Sequence, residues 1–351
     1  MLSTSHYISI AITLLLVTLV GIYAARYVRT IKDFTVGGRK IGALLVCGSL
    51  VGGFVGGTST IGTAQMAFHY GFSGIWFTLG AGLSCIFMAL FMARPLREKK
   101  VETISQYLAT VYGNNAAPWV AIYISLGMFI QVGAQVMAAV PLFSAIFGFD
   151  MVKSAIAGTA MIVLYVIFGG FWSASLVGLL KLVLIYFSMV IAGLLVLYFF
   201  GGFTGFYSAL PTEPYFSIFP GGMTRELASV FSVLVGFAST QTYLQPLFAA
   251  VNIRAARLGA VAAGLLIPVI GLASVMVGMF MRAQHPDMSP AAALPLFIFE
   301  YLPPWLGGIA VASLLISLVL TGAALTLGVA TVLGRDIYSR LRPQANDREM
   351  L

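Results

Sequence analysis

Charge is scarce in this sequence: 9% of its residues are Asp, Glu, Lys or Arg, where an ordinary soluble domain carries roughly 25%. With 60% of its 351 residues hydrophobic, 19 basic and 11 acidic side chains could not cover the aqueous surface of a soluble fold, which excludes cytosolic enzymes and disordered chains. Cysteine is nearly absent. Its two copies, Cys47 and Cys85, lie in apolar stretches as small buried hydrophobes and offer no disulfide framework or zinc site. Acids are missing from every long apolar run. No run holds a carboxylate pair, a His/Cys ligand set or a nucleophile with a base, which argues against an enzyme and against a resident cofactor. His6, His69 and His285 fall at run ends or in loops and read as interfacial. A basic leader is lacking too. The first apolar run, Tyr7 to Ala25, has no charged segment before it and basic residues directly after it, so it reads as a retained span.

What is present is hydrophobic length. A helix needs about 20 apolar residues to cross a ~30 Å hydrocarbon core. The sequence predicts nine such spans, at 6–28, 41–68, 72–93, 117–148, 153–171, 174–200, 227–251, 256–281 and 304–333. Two half-apolar segments, 101–112 and 291–302, are expected at the membrane surface. Alternate connections hold Arg26, Arg29, Lys32, Arg39 and Lys40, then Arg94, Arg97, Lys99 and Lys100, then Arg254 and Arg257, then Arg335, Arg340, Arg342 and Arg348. The other connections hold only Lys153, Arg225 and Arg282. The positive-inside rule then puts the N-terminus outside and the C-terminus in the cytoplasm of a plasma-membrane protein. The net charge of +8 is a topology signal, and nucleic acid is not an expected partner. The remaining basic residue, Lys181, lies inside a predicted span.

Two spans are weakened. The second holds six glycines in the fifteen residues from Gly48 to Gly62, and each interior glycine costs a helix about 1 kcal/mol relative to alanine. Close packing of small residues is one reading. The other, favoured by the hydroxyls of Thr58, Ser59 and Thr60 that follow, is a broken helix whose freed carbonyls ligate a cation at mid-membrane. The seventh span carries Gly236-Phe237-Ala238-Ser239-Thr240-Gln241-Thr242 and ends in Gln245-Pro246, where proline removes a backbone donor. Spans two and seven stand five apart and therefore run oppositely through the bilayer, as an inverted repeat of five helices requires. The expected fold is all-α, a polytopic membrane helical bundle of inverted-repeat, broken-helix architecture in one transmembrane domain. Residues 6–28 are its extra N-terminal span, 41–200 the first repeat, 227–333 an incomplete second repeat and 334–351 a cytoplasmic tail.

Four landmarks, in order, resemble one family. They are Asp33-Phe34-Thr35-Val36-Gly37-Gly38-Arg39 after the first span, and the glycine-broken segment running to Gly62 and Gly71. The third is Phe168-Gly169-Gly170-Phe171-Trp172-Ser173, similar to a Gly-Gly-[Leu/Met/Phe]-x-[Ser/Ala/Pro] signature, and the fourth is Thr331-Val332-Leu333-Gly334-Arg335-Asp336-Ile337-Tyr338. Together these resemble the sodium/solute symporters that include proline, pantothenate and sodium/glucose carriers. Members continue with two or more spans beyond the Asp-Ile-Tyr helix. By resemblance the last two core helices are missing, because the second repeat has lost them or because the chain is a fragment.

The resemblance implies a sodium between carbonyls of the broken second span and oxygens of the ninth. Counted onto this chain, these are Gly52 and Val55 with Ser317, Leu320 and Thr321. A hard cation takes about five or six oxygens. Leu320 stands where a second hydroxyl is usual, so Thr321 alone offers a side-chain oxygen there; a bond to its own i−4 carbonyl is the alternative for Thr321. After Gly169-Gly170 the family commonly has Thr-Asp and then Gln, where this chain has Val177, Gly178 and Lys181. Lys181 reads either as a snorkelling lysine or as an ammonium that reaches the degraded site, replaces sodium and loads and releases a proton.

By the same resemblance, solute binds among spans two, four, seven and nine, where the polar groups are Thr58, Ser59, Gln131, Gln135, Ser239, Thr240 and Gln241. Gln131 and Gln135 stand four apart on one helix face. Interhelical hydrogen bonding is their other account. No arginine or acid is available to clamp a charged solute, so helix N-termini and amides would hold a small polar or carboxylate solute. The leading expectation is a secondary active transporter that symports a small organic solute by alternating access. Its coupling ion is sodium or a proton, and its partners are solute and membrane lipid. A membrane solute-sensing module and a non-transporting remnant are the alternatives, and the oligomeric state stays open.

Overall fold

The computed structural model describes residues 3–342 and 344, without the side chains of 166–169; residues 343 and 345–351 of the expected tail lie outside the described residues. Helix α1 (Thr4–Ala25) is apolar around its circumference, and Ile12, Leu15, Leu19 and Ile22 stay exposed on it, as lipid-facing side chains do.

The second span is broken as expected. Helix α2 (Ala43–Phe54) stops at Val55, whose φ/ψ of −85°/80° is not helical, and a π-turn over Thr58–Gly62 restarts the chain into α3 (Thr63–Tyr70). Gly71, at φ 64°, turns the chain towards α4 (Trp76–Phe87), which continues through a π-turn into the short helix Ala93–Glu98. Helix α5 (Ile104–Tyr112) starts at Thr103, whose hydroxyl accepts from the Gln106 amide, and stops at Gly113. Helix α6 (Ala116–Phe147) follows.

The sequence predicts two spans over 153–171 and 174–200. The structure has one 49-residue path, α7 (Met151–Phe199), bent at Gly170 with φ/ψ of 50°/−160°. A Cβ there would lie 2.6 Å from Cδ2 of Phe34, so the bend needs glycine for conformation and for close approach.

The other interruption falls between α8 (Met223–Ala238) and α9 (Gln241–Ala249), which bend by 52°. Thr240 is extended there, and Pro246 sits inside α9 rather than at the break. The hydroxyls of Ser239 and Thr240 donate to the carbonyls of Val235 and Gly236 at 2.8 and 2.7 Å, so the end of α8 is satisfied by its own side chains.

Helix α10 (Ile253–Gln284) is capped by the Asn252 side chain. Helix α11 (Ala293–Tyr301), expected at the surface, buries Leu294, Phe297 and Ile298 completely. Helix α12 (Pro304–Leu333) is the axis of the bundle: it packs on α7, α6, α1 and α2, while α10 packs on α2, α3, α4 and α7. Six helices are long and apolar enough to cross a membrane, and the α8–α9 pair makes a seventh. The nine-span expectation divides the same residues differently, because α2 and Met151–Tyr165 are shorter apolar pieces and Thr58–Glu98 runs through the Gly71 turn. Among the described residues no strand forms; one isolated bridge joins Ile41 to Ala250 where the two broken spans come together.

Candidate solute and cation site

The break in span two can be followed bond by bond. In an unbroken helix the amide of Gly56 would bond to the carbonyl of Gly52, and that of Gly57 to Gly53. Instead the Gly56 amide donates to Phe54 at 3.0 Å, and the Gly57 amide donates to Oε1 of Gln135 on α6 at 3.0 Å. The Gly52 carbonyl is thereby released. It accepts from Nζ of Lys181 at 2.8 Å and from the Thr321 hydroxyl at 3.0 Å.

Lys181 is fully buried, so it does not snorkel to the interface. Its ammonium has three donors and finds three acceptors: the Gly52 carbonyl, the Ser317 carbonyl at 3.3 Å and the Thr321 hydroxyl at 3.3 Å. Of the oxygens implied for sodium, Gly52, Ser317 and Thr321 are therefore drawn together around this amine, whereas Val55 is not among its partners. Leu320 packs its side chain towards Gly52 and adds no oxygen. None of the ion pairs among the described residues includes Lys181, so a charge there would rest on dipoles alone, an expensive arrangement in a membrane. Glycines make it possible. A Cβ on Gly178 would stand 2.5 Å from the carbonyl oxygen of Gly48, so α2 and α7 approach closely only because Gly178 has none.

The hydroxyls expected to hold solute divide. Ser59 is buried and donates to the Phe54 carbonyl at 2.6 Å, and Thr60 donates to Gly56 at 3.0 Å, so both repair the break. Thr58 is exposed and lines a cavity of about 680 Å³ with Gln65, His69, Phe77, Arg225 and Glu226. This cavity lies at the end of the bundle opposite the basic loops. Its inner side adjoins an aromatic cluster at the two breaks: Phe77 meets Phe237 at 5.8 Å between ring centroids, and Phe54 meets Phe237 at 4.7 Å and Tyr243 at 4.1 Å. The Tyr243 hydroxyl donates to Oε1 of Gln131 at 3.4 Å. Ser239 is exposed on α8, and Gln135, Thr240 and Gln241 are buried.

Gln241 works elsewhere. It accepts from the Ile104 amide and donates to the Glu102 carbonyl, both at 2.9 Å, fastening α9 to α5 at the basic end. There Glu102 also pairs with Arg335 at 3.0 Å and accepts from Thr35 at 3.1 Å. Asp336, in the Asp-Ile-Tyr motif, accepts from Thr103 at 3.0 Å and Gln106 at 2.9 Å. This network ties the start of α5 to α9 and to the Asp-Ile-Tyr motif at the basic end. Sequence reasoning passed over Glu102 as part of a surface segment; an acid at the start of a half-apolar helix was the available signal.

The profile of the Sodium:solute symporter family matches residues 34–351. The osmoregulated proline transporter OpuE of Bacillus subtilis is 24% identical over all of this chain and 74% of its own length. The symporter YwcA of the same organism, described as uncharacterized, is 24% identical over 96% of this chain and 69% of its own length. Among solved structures, a Na+-coupled sialic acid symporter in a substrate-bound outward-open state matches with a TM-score of 0.86 at 16% identity. That match covers 99% of this chain and 77% of the other and extends the likeness to the fold.

Proposed function

The chain belongs to the sodium:solute symporter family and carries out ion-coupled symport of a small solute across a membrane, and from that premise we propose how its site does so. The solute enters through the cavity above Thr58, and the network at Glu102 and Arg335 marks the side from which it leaves. The basic end is cytoplasmic by the positive-inside rule, which makes the cavity external. Residues 41–200 and 227–333 act as two repeats that rock against each other, with their breaks at the aromatic cluster.

The solute is small and polar and bears a carboxylate. The side-chain amide nitrogens of Gln131 and Gln135, whose oxygens accept from Tyr243 and Gly57, offer donors, with the Thr58 hydroxyl at the margin. A proline-sized zwitterion agrees with the likeness to OpuE, a proline transporter.

Coupling departs from a free sodium at the Gly52 position. The ammonium of Lys181, held by Gly52, Ser317 and Thr321, stands in for that cation, and a proton on this amine is the coupling ion. The full ligation of the Lys181 amine is the single observation that carries this reading. Proteoliposome uptake over a panel of labelled amino acids, betaines and carboxylates, with sodium and proton gradients imposed separately, tests it. A proton gradient alone is expected to drive accumulation. Uptake driven by sodium alone and indifferent to pH would overturn the coupling assignment while leaving symport in place.

A further inference from the structure

At the basic end, Arg39 and Arg97 occupy one junction. Arg39 donates through Nη2 to the carbonyls of Lys100 and Val101, the second at 3.1 Å. Arg97, three residues before Lys100, donates through Nη2 to the Val251 carbonyl at 3.2 Å. The Val251 amide in turn donates to the Ile41 carbonyl at 2.8 Å, two residues beyond Arg39. These contacts form a closed circuit. It draws together the strand of chain entering α2, the segment leaving Ala93–Glu98 and the turn between α9 and α10.

The circuit leaves both arginines incomplete. The Nε of each is buried and has no hydrogen-bond partner. Neither guanidinium has a carboxylate within ion-pair distance among the described residues. The neighbouring acids are already engaged: Glu98 with Arg94 at 2.7 Å, Glu102 with Arg335, and Asp33 with the Thr30 amide at 3.1 Å. Two like charges thus share a half-buried junction with donors to spare, and exposed Lys40, Lys99 and Lys100 follow them in the chain. The guanidinium fork matches tetrahedral oxyanions, and basic clusters beside the ends of spanning helices meet lipid phosphates.

We propose that Arg39 and Arg97 form a binding site for a phosphate anion, presented either by an anionic phospholipid headgroup or as free phosphate. The bound anion offsets the like-charge repulsion of the two guanidinium groups and clamps the entrance of α2 to the entrance of α10. Those segments border the network of Glu102 and Arg335, so an occupied site holds the basic end shut.

The test uses the full chain in lipid-free detergent, titrated with phosphatidylglycerol, phosphatidylcholine or inorganic phosphate and read by thermal unfolding and native mass spectrometry. Phosphatidylglycerol is expected to raise the unfolding temperature by about 3 °C or more and to persist as one bound lipid. Arg97→Gln and Arg39→Gln should each weaken the effect at least about tenfold, and Arg97→Lys should weaken it less, because it keeps charge without the fork. Arg94→Gln should leave it unchanged. A shift with phosphatidylglycerol but not inorganic phosphate identifies the headgroup as the source; a shift with both identifies any accessible phosphate. No shift with either, equal shifts with phosphatidylcholine, or an undiminished shift in Arg97→Gln overturns the site. Should Arg39→Gln fail to fold, the Arg97 pair of variants decides.

Discussion

The Nζ of Lys181 lies 2.8 Å from the carbonyl oxygen of Gly52, the very oxygen that the broken second span leaves without its helical partner. A side chain from α7 therefore completes a hydrogen bond that α2 cannot make for itself. The group that repairs the main chain is also the one to which the proposed coupling is assigned.

Lys181→Gln keeps a donor within reach of Gly52 and removes the charge. Proton-driven uptake in proteoliposomes is expected to fall at least about tenfold, the scale of one lost charge-assisted contact, and the pH dependence of transport to disappear. Sodium stimulation absent from the parent and present in the variant would show the cation position reopened. An unchanged rate, pH profile and sodium response would refute the assignment.

Gly178→Ala places a methyl group 2.5 Å from the Gly48 carbonyl, where only backbone movement can relieve it. The expected loss is about 1–3 kcal/mol, as for overpacking elsewhere. Thermal unfolding in detergent should fall by several degrees, and Gly178→Asp, which restores the residue common in the family, should fall further. A variant as stable as the parent would mean that α2 and α7 are less tightly apposed than described.

Gln135→Leu strands the buried amide of Gly57, which the glutamine now satisfies. An orphaned buried donor costs about 1–3 kcal/mol. Gln135→Glu retains an acceptor and should unfold nearer to the parent temperature. Equal stability of the Leu and Glu variants would show that the amide has another partner.

Accessibility separates two adjacent hydroxyl residues. Thr58 is exposed to the cavity and Ser59 is buried at 1% exposure. A membrane-impermeant maleimide added from the cavity side should label Thr58→Cys and spare Ser59→Cys. The parent gives a clean background, since Cys47 and Cys85 are both buried. Labelling of both or neither would contradict the course of the break.

Much of this was legible beforehand because glycine and hydrophobic length act locally. The run from Gly48 to Gly62 announced a break, and the structure puts one at Val55. Gly52, Ser317, Thr321 and Lys181, chosen by resemblance and by one missing acid, come together in space. The rest depended on partners distant in the chain. Nothing near Ser59 indicates that its hydroxyl turns back to Phe54 instead of facing solute, and nothing near Gln241 indicates that Ile104 and Glu102 engage its amide. The second break falls inside the expected stretch from Gly236 to Thr242, whereas Pro246, at the end of that stretch, lies within α9. The chain bends earlier, where the Ser239 and Thr240 hydroxyls can close off α8.

In the proposed coupling, four methylene groups anchor the charge at Gly52 to the protein, so its occupancy there cannot be diluted by the medium. Raising or lowering an external salt changes nothing about how often that charge is at hand; only its protonation can vary. A carrier built this way would keep its grip on cargo in fresh water as well as in brine.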